Sequence, residues 1–484
     1  MARLVALTAL GLACGEATPA PVAPGPPVDP ALLYRDLTPE SGLPSTGGPG
    51  VTLADLDGDG DDDLVLPTPE ALRLYYNRGD ATFEPGPAVA FSEGAQSVWA
   101  ADVTGDGSLD LLAVDPRELR LFVGPDWARS TQLPELPIDG EYSAVTFGDF
   151  SLGGRLDLLA IRLHAAGGEA AMTSVLVERT ADTPLAREVL DPLHARVAAT
   201  LDLNDDGRLD VWVGQEGFAP SRAYLGDGGG GFVESSKTLG LDLAASAMGF
   251  DAGDIDGDGD LDLVVANLFP ALQLFVRDGE RFVESATARG LTGLDGGSTW
   301  GLGLVDADND GDLDLLAASG FGQGEVEGDT GLERLYFEND GGLFTRRFGA
   351  ADTALDVSST ARGAAFSDLD GDGDVDAVIT SVDAAPQVLR NELGTDARRW
   401  LKIQLRYPWH RPAVGARVRL TAGGRTLTRW VVGTPSYGGS SSECVHFGLG
   451  AAAEYTDLEV RWPNGVTQRE SAGPANRTVV VGYR

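Results

Sequence analysis

Cysteine is nearly missing from this chain of 484 residues: only Cys14 and Cys444 occur. Two cysteines exclude a disulfide framework, and Cys444 reads as a structural thiol. Aromatic residues make up only 7%, and there are four histidines, His164, His194, His410 and His446. None of these lies in a recognisable nucleophile or metal motif, and Ser440-Ser441-Ser442 lacks a nucleophile elbow. Basic residues are few, 36 against 74 acidic, for a formal net charge of -38. Such a chain repels phosphates, which excludes nucleic acid as a partner. Long apolar runs are also absent. The longest, Leu4 to Ala13, is too short to span a bilayer as a helix.

Glycine is abundant, with 65 residues, and hydrophobic residues reach 43%. That is enough apolar surface for buried cores connected by many tight turns, and the length calls for more than one domain. Residues 1–14 read as a leader, with Arg3 ahead of the apolar run and Cys14 at its end. Leu10-Gly11-Leu12-Ala13-Cys14 resembles a bacterial lipoprotein cleavage site, with Gly11 where that motif usually has Leu. The resemblance implies an outer-membrane lipoprotein anchored through Cys14, with periplasmic or secreted protein as the alternatives. Residues 15–31 are Pro-rich and read as an extended tether.

One pattern recurs seven times: Asp at position 1, oxygen-bearing residues at 3 and 5 in most copies, Gly at 6 and Asp at 9. The copies begin at Asp55, Asp102, Asp149, Asp202, Asp254, Asp306 and Asp368. Short Val- and Leu-rich runs flank each copy, such as Leu64-Val65-Leu66 and Leu263-Val264-Val265. They read as buried strands, so the acidic stretch is a hairpin loop. Third and fourth strands follow within about 45 residues, the period of a propeller blade. The expected fold is therefore all-β, a seven-bladed β-propeller over residues 32–395. Phe232 to Leu241 and Phe282 to Leu291 read as fourth strands, each with an aromatic residue and Gly-Leu eight positions on. Tyr34 to Leu43 has the same arrangement ahead of the first loop, while the last repeat stops after its third strand. Tyr34 to Thr38 is thus expected to supply the last blade's outer strand and close the ring.

Carboxylates at positions 1, 3, 5 and 9, with the backbone carbonyl of position 7, suit a hard cation taking six to eight oxygens. With no His or Cys in any loop, zinc is disfavoured. Magnesium is the weaker candidate because it keeps its waters, and calcium is the ion expected. Four loops are complete: Asp55, Asp57, Asp59, Asp61 and Asp63; Asp254, Asp256, Asp258, Asp260 and Asp262; Asp306, Asp308, Asp310, Asp312 and Asp314; Asp368, Asp370, Asp372, Asp374 and Asp376. Loop two (Asp102, Thr104, Asp106, Ser108, Asp110) and loop four (Asp202, Asn204, Asp206, Arg208, Asp210) are expected to bind more weakly. Loop three has Ser151, Gly153 and Arg155 and is expected to hold no metal, with Arg155 offsetting Asp149 and Asp157. About six calcium ions follow. An EF-hand is excluded, because position 12 is Leu66, Val265, Ala317 or Ile379 rather than Glu.

These loops resemble FG-GAP/VCBS repeats, the blades of integrin α propellers, and Leu335 to Phe344 resembles repeats of the cartilage acidic protein family. From Trp400 onward the acidic loops cease and basic residues rise. Residues 396–484 read as a small β-sandwich-like domain. Gly415 to Arg419, Tyr437-Gly438-Gly439-Ser440, Val445 to Gly450 and Val460 to Gly465 resemble the ASPIC/UnbV domain. Arg78-Gly79-Asp80 matches an integrin-recognition tripeptide but falls at a turn, where Gly and Asp are expected anyway. Two function classes remain. One is a non-catalytic, adhesion-like module, a monomer outside the cytoplasm that binds a protein or glycan. The other is an enzyme or accessory protein of a biosynthetic pathway with a site on the propeller face.

Overall fold

The computed structural model describes residues 33–484 apart from 69, 92–94, 115–118, 128, 133–140, 167–168, 179–184, 189, 191–193, 293–296, 321–333, 348–353, 356, 358, 383, 394–397, 410 and 434–435. The leader, Cys14, most of the tether and His410 lie outside the described residues.

The short apolar runs do form strands, because each is buried on both faces. Asp63–Pro67, Asp110–Val114, Asp210–Gln215, Asp262–Asn267, Asp314–Ser319 and Asp376–Ser381 are buried along their whole length. Each is the second strand of a four-stranded antiparallel sheet, and seven such sheets occur among the described residues. The aspartate loop joins the first strand to the second in each.

Seven apolar clusters join the sheets, each lying between two neighbours in the order of the chain. Val98 and Leu111 of the second sheet pack with Val65 and Leu72 of the first. The sequence continues round to Ala365 and Val378 of the seventh, which pack back on Leu53 and Leu64. A core at every junction and none at an open end is the condition for a closed propeller.

Tyr34–Asp36 is the fourth strand of the last sheet, with Tyr34 opposite Asn391. This is the arrangement expected for ring closure. Tyr34 is buried, its ring edge-on to Tyr336 at 6.4 Å and its hydroxyl donating to the Val375 carbonyl.

The fourth strands of blades four and five are shorter than the sequence suggests. Strand pairing covers only Phe232–Glu234 in one, which passes into a helical turn at Ser236–Leu239, and Arg281–Glu284 in the other. The Gly-Leu that follows has a different task. Gly42, Gly240 and Gly290 all take φ between 78° and 91°. A Cβ there would meet the carbonyl oxygen of Phe83, Phe282 or Phe344 at 2.2–2.4 Å. The glycine lets one blade's outer edge press against the next blade's outer strand.

Residues 399–482 form two sheets. One holds Arg399–Arg406, Val445–Gly450 and Arg477–Gly482, and the other has five strands centred on Arg417–Ala422 and Glu454–Arg461. A single core that includes Phe447, Leu458 and Trp462 lies between them.

Because Tyr34 is the aromatic seal of the closing strand, Tyr34→Ala is expected to destabilise the chain by about 3 kcal/mol. Urea unfolding at fixed calcium measures this; an unchanged midpoint would show that the ring does not depend on the closing strand.

Candidate metal centres and the domain interface

Each aspartate loop is built around its last carboxylate. Asp63 accepts hydrogen bonds from the amides of Leu56, at loop position 2, and Asn77, at the end of the third strand, at 3.0 and 2.9 Å. Asp210 does the same with Leu203 and Gly226, Asp262 with Ile255 and Arg277, Asp314 with Ala307 and Asn339, and Asp376 with Leu369 and Asn391. In Asp110 the loop donor is Thr104 and the strand donor Gly124. The position-9 carboxylate therefore ties the loop to the third strand. The spacing of these residues in the sequence points to an ion alone, and this backbone role leaves no mark there. In loop three Asp157 accepts from both the amide and hydroxyl of Ser151. Burial, the largest cause in each case, pushes Asp63 and Asp262 up to about 7 and Asp210 up to about 8.

Position 1 is held differently. Asp254, Asp306 and Asp368 each accept the amide of the position-6 glycine on Oδ2, at 3.0–3.1 Å. Their Oδ1 atoms, and Oδ1 of Asp256, are buried with no hydrogen-bond donor among the described residues. A buried carboxylate oxygen without a donor is costly. The residues that carry them belong to three of four convergent groups; in the fourth, one oxygen from each of Asp55, Asp57 and Asp59 lies within 4.8 Å of the others. The same holds for Asp254, Asp256 and Asp262, for Asp306, Asp308 and Asp310, and for Asp368, Asp370 and Asp376. Convergent carboxylates, some with an oxygen left without a donor, fit a hard divalent cation.

These four groups are the four complete loops. Loops two and four do not bring three carboxylate oxygens together, because Thr104 and Asn204 replace the position-3 aspartate and the backbone takes position 1. Asp102 accepts the amides of Gly105, Asp106 and Gly107, and Asp202 those of Asp206 and Gly207. In loop three Asp149 is likewise occupied by Gly153 and Gly154, and Arg155 is exposed.

Position-7 side chains point to other partners. Arg208 pairs with Asp206 at 2.6 Å, Asp312 with Arg425, and Asp374 accepts from Asn309 at 2.7 Å. Asp61 and Asp260 donate their own amides back to Asp59 and Asp258. Ser108 does the same to Asp106.

The C-terminal domain sits on the face that carries these loops, which sequence reasoning missed. Its basic residues are the counter-charges. Arg461 and Arg417 pair with Asp205 in loop four, Arg429 faces Asp306 at 3.5 Å, and Lys402 meets Asp368 at 2.6 Å. Arg398, just ahead of the first strand, pairs with Asp308. The His-Phe-Gly-Leu-Gly motif lies on loops six and seven. His446 Nε2 contacts the Gly373 carbonyl, the Gly448 amide donates to Asp306, and that of Gly450 to the Asn309 carbonyl. Burial pulls His446 down to about 4, so it is neutral near pH 7.

The Tyr-Gly-Gly-Ser segment is not a surface turn. It belongs to a longer stretch, in which Gly433 and residues 436–442 run down the centre of the ring and together touch the innermost part of every blade. Gly433 exchanges two backbone hydrogen bonds with Thr200 and lies against the Phe147 carbonyl. Ser436 donates to Phe250 and Ala364, and Val98 donates to Gly438. Ser440 pairs with Val51 and Leu53, Ser442 donates to Phe366, and the Tyr437 ring stands edge-on to Trp300 at 5.2 Å. A Cβ on Gly439 would lie 1.5 Å from the Val51 carbonyl oxygen, so only glycine passes there. A cavity of about 220 Å³ remains beside this plug, lined in part by Lys402, Glu443, Cys444 and His446.

Asp157→Ala is expected to destabilise the protein by about 1 kcal/mol even with calcium removed, because it removes the acceptor of two part-buried donors in a loop without a convergent triad. Chemical unfolding in chelator measures this; no change would mean that the clip is dispensable. The raised carboxylates set the pH dependence. The folded, metal-free chain holds protons that the unfolded chain releases above about pH 4. In chelator its melting temperature should fall as pH rises from about 4 to about 8, and with calcium the slope should reverse. Calorimetry across that window, with and without chelator, checks the sign.

Residues 55–113, 202–265 and 254–317 match the FG-GAP-like repeat family, and residues 408–484 match ASPIC and UnbV. The chain is 26% identical over 286 residues to cartilage acidic protein 1 of Xenopus tropicalis, covering 57% of this chain and 43% of that protein. It therefore spans less than half the length of that relative. An Agrocybe aegerita lectin solved for its recognition of non-reducing terminal N-acetylglucosamine superposes with a TM-score of 0.42 at 16% identity, over 71% of this chain and 87% of the lectin. BBS1N, solved in complex with ARL6DN, superposes with a TM-score of 0.47 at 11% identity, over 75% and 98%. The chain carries FG-GAP-like repeats in its propeller, followed by an ASPIC and UnbV domain.

Proposed function

We propose that this is a calcium-binding propeller that works outside the cytoplasm as a non-catalytic module recognising a protein or glycan. The observation that carries the calcium reading is the set of buried, donorless oxygens on Asp254, Asp256, Asp306 and Asp368 within convergent carboxylate groups. Oxygen-only ligands and the glycine turn at position 6 favour calcium over zinc or magnesium. Loops one, five, six and seven are the strong sites, and loops two and four the weak ones. Calcium here is structural: the ion lies at the root of a hairpin and is bounded in three loops by protein cations.

The chemistry of the interdomain cavity supports a non-catalytic reading. Burial pushes the Cys444 thiol up to about 12 and His446 down to about 4. Glu443 is paired with Arg411. A thiol that stays protonated, an imidazole that stays neutral and a neutralised carboxylate are poorly suited to nucleophilic or acid–base work. Among the described residues no helix is long and apolar enough to cross a membrane. The leader ending at Cys14 supports an extracytoplasmic location, with a lipid on Cys14 as the membrane contact.

Metal analysis of the purified chain should find at least four calcium ions per molecule. Each loop saturated 100-fold above its dissociation constant adds about 2.7 kcal/mol of stability, so chelation should lower the melting temperature steeply. Absence of bound calcium together with an unchanged melting temperature would overturn this reading. Calcium-dependent binding on a glycan or protein array, without turnover of the bound ligand, tests the module.

A further inference from the structure

Loops six and seven differ from loops one and five in who holds the first aspartate. In loop six, Asp306 Oδ2 accepts the Gly311 amide of its own loop and the Gly448 amide of the C-terminal domain at 2.8 Å, with Arg429 at 3.5 Å. In loop seven, Asp368 Oδ2 accepts the Gly373 amide and meets Lys402 at 2.6 Å. In both, Oδ1 is buried without a donor. Loop five leaves Asp254 Oδ1 equally bare, but its ion-paired partner is Arg289 of the propeller, 2.8 Å from Asp256. In loop one, Asp55 is held by its own Gly58.

We propose that loops six and seven are interdomain metal sites: the C-terminal domain fixes the outer oxygens of Asp306 and Asp368, and an ion on the remaining carboxylate oxygens locks that domain and its plug into the ring. The inference rests on reading the loops as calcium sites. Charge is consistent with the ion and the domain acting together rather than in competition. Loop six gathers five aspartates, Asp306, Asp308, Asp310, Asp312 and Asp314, against Arg398, Arg425 and Arg429. Three cations leave two negative charges, which one divalent ion cancels. In loop seven, five aspartates face Lys402 and Arg390, so one ion still leaves the loop net negative.

Desolvation gives the linkage its sign. On this proposal docking adds to the burial of Oδ1 of Asp306 and Asp368, which have no donor among the described residues. Undocking would rehydrate them, so without metal the docked state bears a penalty that the ion removes. Docking also fixes the carboxylates and excludes water, which strengthens their attraction for the ion. Each event therefore favours the other, and by linkage the effect is reciprocal. The domain's plug spans all seven inner strands, so two peripheral ions control whether the centre of the ring is filled.

Hydrogen exchange on the full-length chain, with calcium and with chelator, tests this. The amides to follow are Gly448 and Gly450 on the loops and Ser440 and Ser442 in the plug, which all donate across the interface. Chelation is expected to speed their exchange by about tenfold or more, while amides within blade sheets, such as Val264 and Val378, keep more of their protection. Asp370→Asn removes a loop-seven carboxylate with no ion pair to the C-terminal domain, and should reproduce the effect in calcium. Asp57→Asn in loop one should not. Gly439→Val blocks the plug and should weaken two calcium sites in a titration monitored by calorimetry. If calcium binds but chelation and Asp370→Asn leave the interface amides protected, the linkage is wrong and the calcium reading stands. Equal deprotection by Asp370→Asn and Asp57→Asn would also overturn it, by showing a general loss of stability. If no calcium binds, both fall.

Discussion

A carboxylate taken out of water needs donors, and the ninth aspartate of every loop finds at least one in the backbone of its own loop. In six blades it accepts both a loop amide and an amide at or next to the end of the third strand. That contact sets the distance between the hairpin loop and the strand beside it. The first aspartate can then turn one oxygen to the glycine amide and the other inward. The convergent triads, the burial of the second strands and the packing of blade on blade all follow from a loop held at this geometry.

The acidity of the chain has a structural consequence beyond solubility. Loops with complete sets of aspartates accumulate charge that their own backbone cannot neutralise. Part of the remedy lies in the C-terminal domain, whose arginines and lysine reach loops four, six and seven. The contrast between an acidic ring and a more basic tail is thus a complementarity between two faces of one molecule. The domain is anchored twice, by charge at the rim and by backbone pairing along the centre. Cys444 and His446 sit where the two anchors meet, buried and chemically quiet.

The loops are unequal for reasons visible in single residues. Thr104 and Asn204 remove the third-position carboxylate, and the backbone amides then satisfy Asp102 and Asp202 in full. Loop three departs furthest: Ser151 and Gly153 stand at positions 3 and 5, Asp157 accepts the Ser151 amide, and Asp149 is occupied by Gly153 and Gly154. The blade keeps its place in the ring all the same, because its strands share apolar cores with both neighbouring blades.

The sequence by itself determined the repeat, the strand order within each blade, the closing strand at Tyr34 and the identity of the complete loops. These are local matters: short continuous apolar runs, turn glycines and carboxylate spacing act over ten to fifty residues and leave their mark along the chain. Only the tertiary structure decided that the ninth aspartate is a backbone clip, that Gly42, Gly240 and Gly290 seat one blade on the next, and that Tyr437 to Ser440 fills the ring. It also decided that His446 to Gly450 and the tail's basic residues lie against the loops of blades six and seven. Each of these contacts joins residues of different sheets or domains, and several join residues hundreds of positions apart. The nature of such a contact depends on which groups the closed ring leaves without water, and residue spacing carries no record of that.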